Sequence, residues 1–402
     1  MRRAQRIQER MKARIYKYDN IKALLIFLVV IGHMTTDYVS DSHLVRWTTL
    51  WIYTFHMPAF IFISGLMHKQ YITEELEARG IRGEKRLRWN KVIGFFLCGY
   101  GLKIFLQITR TMMGQNPLWH TFQEPGIPWY LFVMAEYELL FYVMRRIDGK
   151  VKPPFMIAAS FALSAVIGYF PSVGDTLCLS RMINFMPIYM IGYYLDMRKV
   201  LAFFEDAEAT GRRIAMKIAG WVVIIGTMVI CYMGKWGMYS WRKWFTGRRS
   251  YEFLSDFFSY AVRSGWWIRI AVWAFALLIT FALLAVIPDK DLGYITTVGA
   301  RTIQVYFWHR PLCYLFRNWE VLPRLVVLFG GKYNAAAAGA AKGLAFGGSL
   351  SSMLAGYAAY LLIGALMTAL FSLKIFQHPT SELMSAGRMI AGKLSKSTGT
   401  NK

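Results

Sequence analysis

Long apolar runs separated by short charged segments dominate the chain. The runs near 22–39, 48–68, 92–110, 128–145 and 154–170 each approach the 17 to 25 residues, about, that a helix needs to cross a bilayer. Five more, near 182–196, 216–234, 266–287, 300–317 and 352–374, bring the expectation to about ten spans, with the sixth and ninth the shortest. No hydrophilic stretch is long enough for an independent core, so any chemistry has to come from the membrane part. The pattern therefore predicts an all-α fold, a polytopic membrane helical bundle, over 1–380, followed by a basic C-terminal tail over 381–402. The segment "GGKYNAAAAGAAKGLAFGGSLSSM" before the last run reads as a weakly structured loop.

The charged segments set an expected orientation. Basic residues concentrate in "KQYITEELEARGIRGEKRLRWNK", in Arg145, Arg146, Lys150 and Lys152, and in Arg198, Lys199, Arg212, Arg213 and Lys217. By the positive-inside rule these loops and both termini face the cytoplasm. One basic loop, "KWGMYSWRKWFTGRRSYEFLSDFFSYAVR", falls on the other side, where its interleaved Trp, Tyr and Arg suit a membrane surface or a sugar. No small-residue cleavage site follows the first apolar run, so the basic amphipathic start "MRRAQRIQERMKARIYK" reads as a retained helix and not a signal peptide.

Composition supports the same class: 56% hydrophobic and only 17% charged, with mean hydropathy +0.34. A net charge of +24 would ordinarily raise nucleic acid as a partner. Here the cations lie between apolar runs and not along one polar face, so they indicate topology and membrane lipid contact, with no nucleic acid. The 4 cysteines show no CxxC pair and no metal-ligand spacing, so no metal is expected. Neither the oligomeric state nor the identity of the membrane is legible, although the absence of an organelle signal favours a bacterial cell membrane.

Ionisable groups inside apolar runs are costly, and that cost singles them out. Lys22 and His33 are eleven residues apart, close to three turns, so they share a helix face about 16 Å apart along the axis. Lys22 then sits at the cytoplasmic headgroups, able to meet a phosphate, and His33 sits in the outer half, where a neutral imidazole can accept a hydroxyl proton. Asp37, one turn outward, is expected to hold the other ring N–H of His33. The alternative is a histidine that only hydrogen-bonds a neighbouring helix. In the second run, "FHMPAFIFISG" places His56 at a depth similar to His33, with Pro58 freeing a carbonyl and Gly65 permitting close helix approach. Lys103 and Glu136 are polar positions in otherwise apolar runs, suited to pair with each other or to line an acceptor cavity. His43 and His120 fall in expected loops, and His68 closes the second run at the interface.

These segments resemble the membrane acyltransferase type 3 family, and within it the fucose 4-O-acetylase-like branch. "YDNIKALLIFLVVIGH" followed by "FHMPAFIFISG" resembles the start of the family, with Lys22 and His33 at its basic-residue and histidine positions. "GIPWYLFVMAEYEL" resembles its tryptophan-containing segment through Trp129, and "SRMINFMPIYMIGYYL" its later segment through Arg181, Pro187 and Gly192. "GARTIQVYFWHRPL" resembles the late segment through Gly299, Thr302, Tyr306 and His309, all in family order.

The resemblance implies an integral membrane enzyme that moves an acyl group, usually acetyl from cytoplasmic acetyl-CoA, to a hydroxyl of a carbohydrate or lipid-linked glycan. His33 is then the expected base, with His56 beside it. Lys22, Arg86 and Arg88 are the cations expected for the CoA phosphates. Tyr306, His309 and the Trp129 indole are the expected donors to the developing oxyanion, and Glu136 and Arg181 the expected acceptor contacts. The rival class is a transporter of glycans or lipid-linked intermediates, since intramembrane His, Lys and Glu also suit a proton-coupled carrier. The chain shows no internal repeat, which favours the enzyme.

Overall fold

The computed structural model describes residues 15–78, 87–124, 126–147, 151–205, 210–235, 237–338 and 345–397. Each expected run forms a helix. They are α1 (Tyr16–Thr35), α2 (His43–Ala78), α3 (Trp89–Met112), α4 (Trp129–Ile147), α5 (Pro153–Ile167) and α6 (Leu179–Tyr194). After the short α7 (Met197–Glu205) come α8 (Thr210–Gly234), α9 (Arg242–Phe245), α10 (Tyr251–Ser255) and α11 (Ala261–Val286). The chain continues through α12 (Tyr294–Ala300), α13 (Thr302–Asn318), α14 (Val321–Leu328), α15 (Leu350–Phe371) and α16 (Thr380–Ser397). The only paired strands among the described residues are Lys332–Tyr333 and Phe346–Gly347, inside the segment expected as a loop.

Six helices, α1, α2, α3, α8, α11 and α15, are long and apolar enough to cross a membrane. The other four expected spans are shorter or more polar: α4 carries Glu136, Glu138 and Arg145, α6 carries Arg181, and α13 carries His309 and Arg310, while α5 is short. Depth sorts the helices. α1 is buried almost all round, with Leu25, Ile26, Val30 and Met34 at 2% exposure or less, as expected of a helix at the centre of a membrane bundle. α8 instead turns Ile214, Ile218, Trp221, Val222, Ile225 and Val229 outward, which is stable only where the surroundings are hydrocarbon.

Two polar devices fix the start of α1. Lys17 is fully buried, donates to the carbonyl of Leu284 at 2.6 Å and pairs with Glu205 at 2.7 Å. Asn20 donates to the carbonyls of Pro288 and Lys290 and accepts from Thr296, so α1, α11 and α12 share one end. α12 lies directly on α1: a Cβ at Gly299 would stand 1.7 Å from the carbonyl oxygen of Asp19.

The expected tail is part of the bundle. α16 runs against α3, where a Cβ on Gly387 would meet the backbone nitrogen of Gly94 at 2.6 Å, and Cys98 of α3 lies 3.8 Å from the carbonyl of Thr380. The small-residue pair Gly94 and Gly387 lets the two backbones approach.

Candidate active site

A cavity of about 240 Å³ runs from the near end of the molecule, where α1 begins, toward the far end, where it stops. Its near mouth carries Arg88, Lys91, His68 and Glu138, and its interior is mostly apolar, with Met57, Phe60, Met67, Phe95 and Met134. On α1 it is lined by Ile26 and Val29. These positions follow Lys22 by four and seven residues, and His33 comes four after Val29, so one stripe of α1 runs from Lys22 past the cavity wall to His33. The innermost lining positions on three helices are Val29, Met57 and Tyr306. Each stands within one turn of a histidine: His33, His56 and His309.

The three histidines form a cluster. The rings of His33 and His309 have centroids 5.3 Å apart and lie tilted by 30°, and His56 joins them through Tyr53, whose ring is 5.0 Å from that of His56 and lies against Gly32. His56 and His309 are buried, whereas His33 keeps partial solvent access. The hydrogen bonds assign the tautomers. Nδ1 of His56 donates to the carbonyl of Ile52 at 2.7 Å, and Nδ1 of His309 donates to the carbonyls of Val305 and Tyr306 at 3.1 and 2.9 Å. Both therefore present a lone pair at Nε2, and that of His309 is buried without a partner. Neither ring nitrogen of His33 has a hydrogen-bond partner among the described residues, so its lone pair is free to act on an incoming hydroxyl.

Several expected roles change. Asp37 does not hold His33: α1 ends at Thr35, the chain tightens into a 3₁₀ turn, and Asp37 pairs with Arg317 at 3.2 Å. The Arg317 side chain is 62% exposed, and an exposed pair of this kind contributes little. Asp37→Asn should therefore change acyl transfer by less than about threefold, and an assay showing about a hundredfold loss would return Asp37 to the catalytic machinery. The group beside His33 is His309. A neutral His309 with its proton on Nδ1 accepts at Nε2, so it cannot serve as the expected oxyanion donor in that form. Tyr306 lines the cavity, but its hydroxyl is engaged with the carbonyl of Ile127.

Trp129 and Arg181 are also committed internally. The Arg181 guanidinium lies over the Trp129 ring at 5.0 Å, and Trp129 stacks on Phe185. Arg181 is buried, donates to the carbonyls of Glu124 and Gly126 at 3.4 and 3.3 Å and stands 3.7 Å from Asp175. It therefore ties Glu124 and Gly126 to α6. Lys103 pairs with Glu124 at 3.4 Å and not with Glu136. Glu136 has one carboxylate oxygen buried with no partner and faces a small pocket shared with Lys103, away from the histidines.

For the CoA cations, Lys22 sits at the near end but is paired with Asp19 at 2.9 Å. Arg88 stands at the cavity mouth, and Arg86 lies outside the described residues. The sequence reading undervalued His68. Its Nδ1 bonds the Tyr189 hydroxyl, its Nε2 is 3.5 Å from Glu138, and Arg88 is 3.6 Å from the same carboxylate. Glu138, in the run "AEYELL", carried the available signal, a second carboxylate two positions after Glu136.

A family model for the acyltransferase domain matches residues 15–372. The chain belongs to the membrane acyltransferase type 3 family. No curated protein and no solved structure matches it. As a type 3 acyltransferase it is a membrane transferase, and the segment matched begins with α1 and ends just beyond α15, so it contains the whole cavity and all three histidines.

Proposed function

We propose that this acyltransferase is an O-acetyltransferase of the fucose 4-O-acetylase-like branch. It takes acetyl from acetyl-CoA at the near end and places it on a hydroxyl of a carbohydrate or lipid-linked glycan reaching His33 from the far end. In this reading the near end is cytoplasmic, both termini lie there, and the protein resides in a cell membrane. The observation that carries it is the α1 stripe: cations at one mouth of an apolar cavity and an unengaged imidazole beyond its inner end.

The chemistry needs each part. Arg88 and Lys91, with Lys22 nearby, offer charge to CoA phosphates. The apolar interior would take the acyl-pantetheine arm, with the nucleotide at the cationic mouth. His33 takes the acceptor hydroxyl proton as the oxygen bonds to the thioester carbonyl carbon. Collapse of the tetrahedral intermediate then breaks the C–S bond, and the imidazolium returns the proton to the CoA thiolate. A base placed in this way contributes about 10² to 10⁴ in rate.

The test is release of free CoA from labelled acetyl-CoA, stimulated by sugar acceptors, with full-length protein in nanodiscs. No release from folded protein with any acyl-CoA would sink the reading and make solute flux the next assay. Arg88→Gln is expected to raise KM for acetyl-CoA about tenfold with a smaller change in kcat, since it removes one charge-assisted contact to substrate. An unchanged KM would move the CoA phosphates elsewhere.

A further inference from the structure

The loop after α8 folds back over the far end of α2. Its 3₁₀ turn Tyr239–Trp241 and α9 bring Arg242 against Tyr53, with the guanidinium 4.9 Å from that ring and 5.1 Å from the ring of Tyr239. Sandwiched between two aromatic faces, Arg242 has no hydrogen-bond or ion-pair partner among the described residues. The hydroxyl of Tyr239 is buried without a partner too. Burial raises the Tyr239 pKa, so its phenol stays neutral, remains a donor and offers Arg242 no counter-charge. On the other side of His33, Arg310 donates to the His33 carbonyl at 3.0 Å but keeps a buried, unpartnered Nε. Tyr53, the ring that Arg242 covers, is 5.0 Å from the ring of His56 and lies against Gly32, the residue before His33, which places Arg242 next to the histidines. The nearby carboxylate of Asp37 is already held by Arg317.

The Tyr239 hydroxyl and the Arg310 Nε are buried donors without acceptors, and Arg242, half-buried against the Tyr239 ring, is a cation with no ion-pair partner among the described residues; together they require an explanation, because unpaired buried donors are costly. We infer that the acceptor carries an oxyanion, a carboxylate or phosphate near the reacting hydroxyl, which Arg242 and the Tyr239 hydroxyl bind while the hydroxyl meets His33. A guanidinium fixed between aromatic rings is preorganised for such a bidentate contact and excludes a neutral sugar by leaving its own donors unmet. The inference rests on the acyltransferase reading only for the role of His33; the anion site stands on Arg242, Tyr239 and Arg310.

The test is binding of glucuronate, glucose 1-phosphate and glucose to the full chain in phosphatidylcholine nanodiscs, which lack net anionic headgroups, at low ionic strength. At least one anion is expected to bind about tenfold or more tightly than glucose, and the preferred anion separates a carboxylate-bearing from a phosphate-bearing acceptor. Arg242→Gln should abolish the preference, and Arg242→Lys should keep part of it. Tyr239→Phe, which removes only one O–H, should weaken anion binding without perturbing the fold. Equal binding of glucose and both anions, no anion binding, or a preference that survives Arg242→Gln would overturn the inference. CoA release in the same nanodiscs separates the two proposals: anion binding without release counts against the transferase chemistry, whereas release with neutral acceptors preferred counts against the anion site alone.

Discussion

Replacing His33 with alanine is expected to lower acyl transfer by about 10² to 10⁴ while leaving the protein inserted and folded. The two halves of that expectation have separate physical grounds. The loss in rate follows because a sugar hydroxyl is a poor nucleophile, and among the three clustered imidazoles only His33 combines solvent access with ring nitrogens that no protein group occupies. The retained fold follows because truncating a side chain without hydrogen bonds leaves no orphaned partner, and the Arg310 bond goes to the His33 backbone carbonyl, which alanine keeps. Single-turnover release of CoA, read beside the thermal midpoint in detergent, measures both. Full turnover in a well-folded His33→Ala protein would remove the residue from catalysis. Partial turnover that disappears in the His33→Ala, His309→Ala double variant would instead show that the second imidazole can act in place of the first.

The positions of the helices were legible in the sequence because a bilayer leaves the backbone few options: each apolar run must close its own hydrogen bonds. The Lys22 to His33 spacing was legible for a related reason, since helical periodicity alone sets the face and rise. What could not be read was how side chains pair across helices. Asp37 is four residues from His33, and if α1 had continued it would have faced the ring; the helix stops at Thr35 and the chain turns the carboxylate to Arg317 instead. Arg181 lies in the first turn of α6, but its partners, Trp129 and the carbonyls of Glu124 and Gly126, come from a segment more than fifty positions earlier. His68, Glu138 and Tyr189 meet from three helices at one mouth, an arrangement to which no local spacing points. Arg242 sits in a loop whose aromatic and basic composition had raised the idea of sugar contact, but its relation to the base depends on the loop folding back over α2.

A methyl group at Gly192 should destabilise the protein more than any single surface change, by about 3 kcal/mol. Gly192 and Gly65 are where α6 and α2 touch backbone to backbone. A Cβ at Gly192 would lie 2.2 Å from the carbonyl oxygen of Phe62 and 2.9 Å from the backbone nitrogen of Leu66, and one at Gly65 would lie 2.2 Å from the carbonyl oxygen of Tyr189. Neither obstacle is a flexible side-chain tip, so relief requires the helices to separate. Separation would draw Tyr189 away from His68 and open the cavity wall at its mouth, so the thermal midpoint and the affinity for acyl-CoA should fall together. Gly226 is the matched control: it lies within α8, with nothing inside 4 Å of an added Cβ, and Gly226→Ala should be neutral or stabilising by up to about 1 kcal/mol through helix propensity. Thermal unfolding of the two variants in the same detergent compares them directly. A Gly192→Ala protein that melts with the native chain would mean that α2 and α6 do not pack through these glycines, and the cavity wall built on that contact would have to be redrawn.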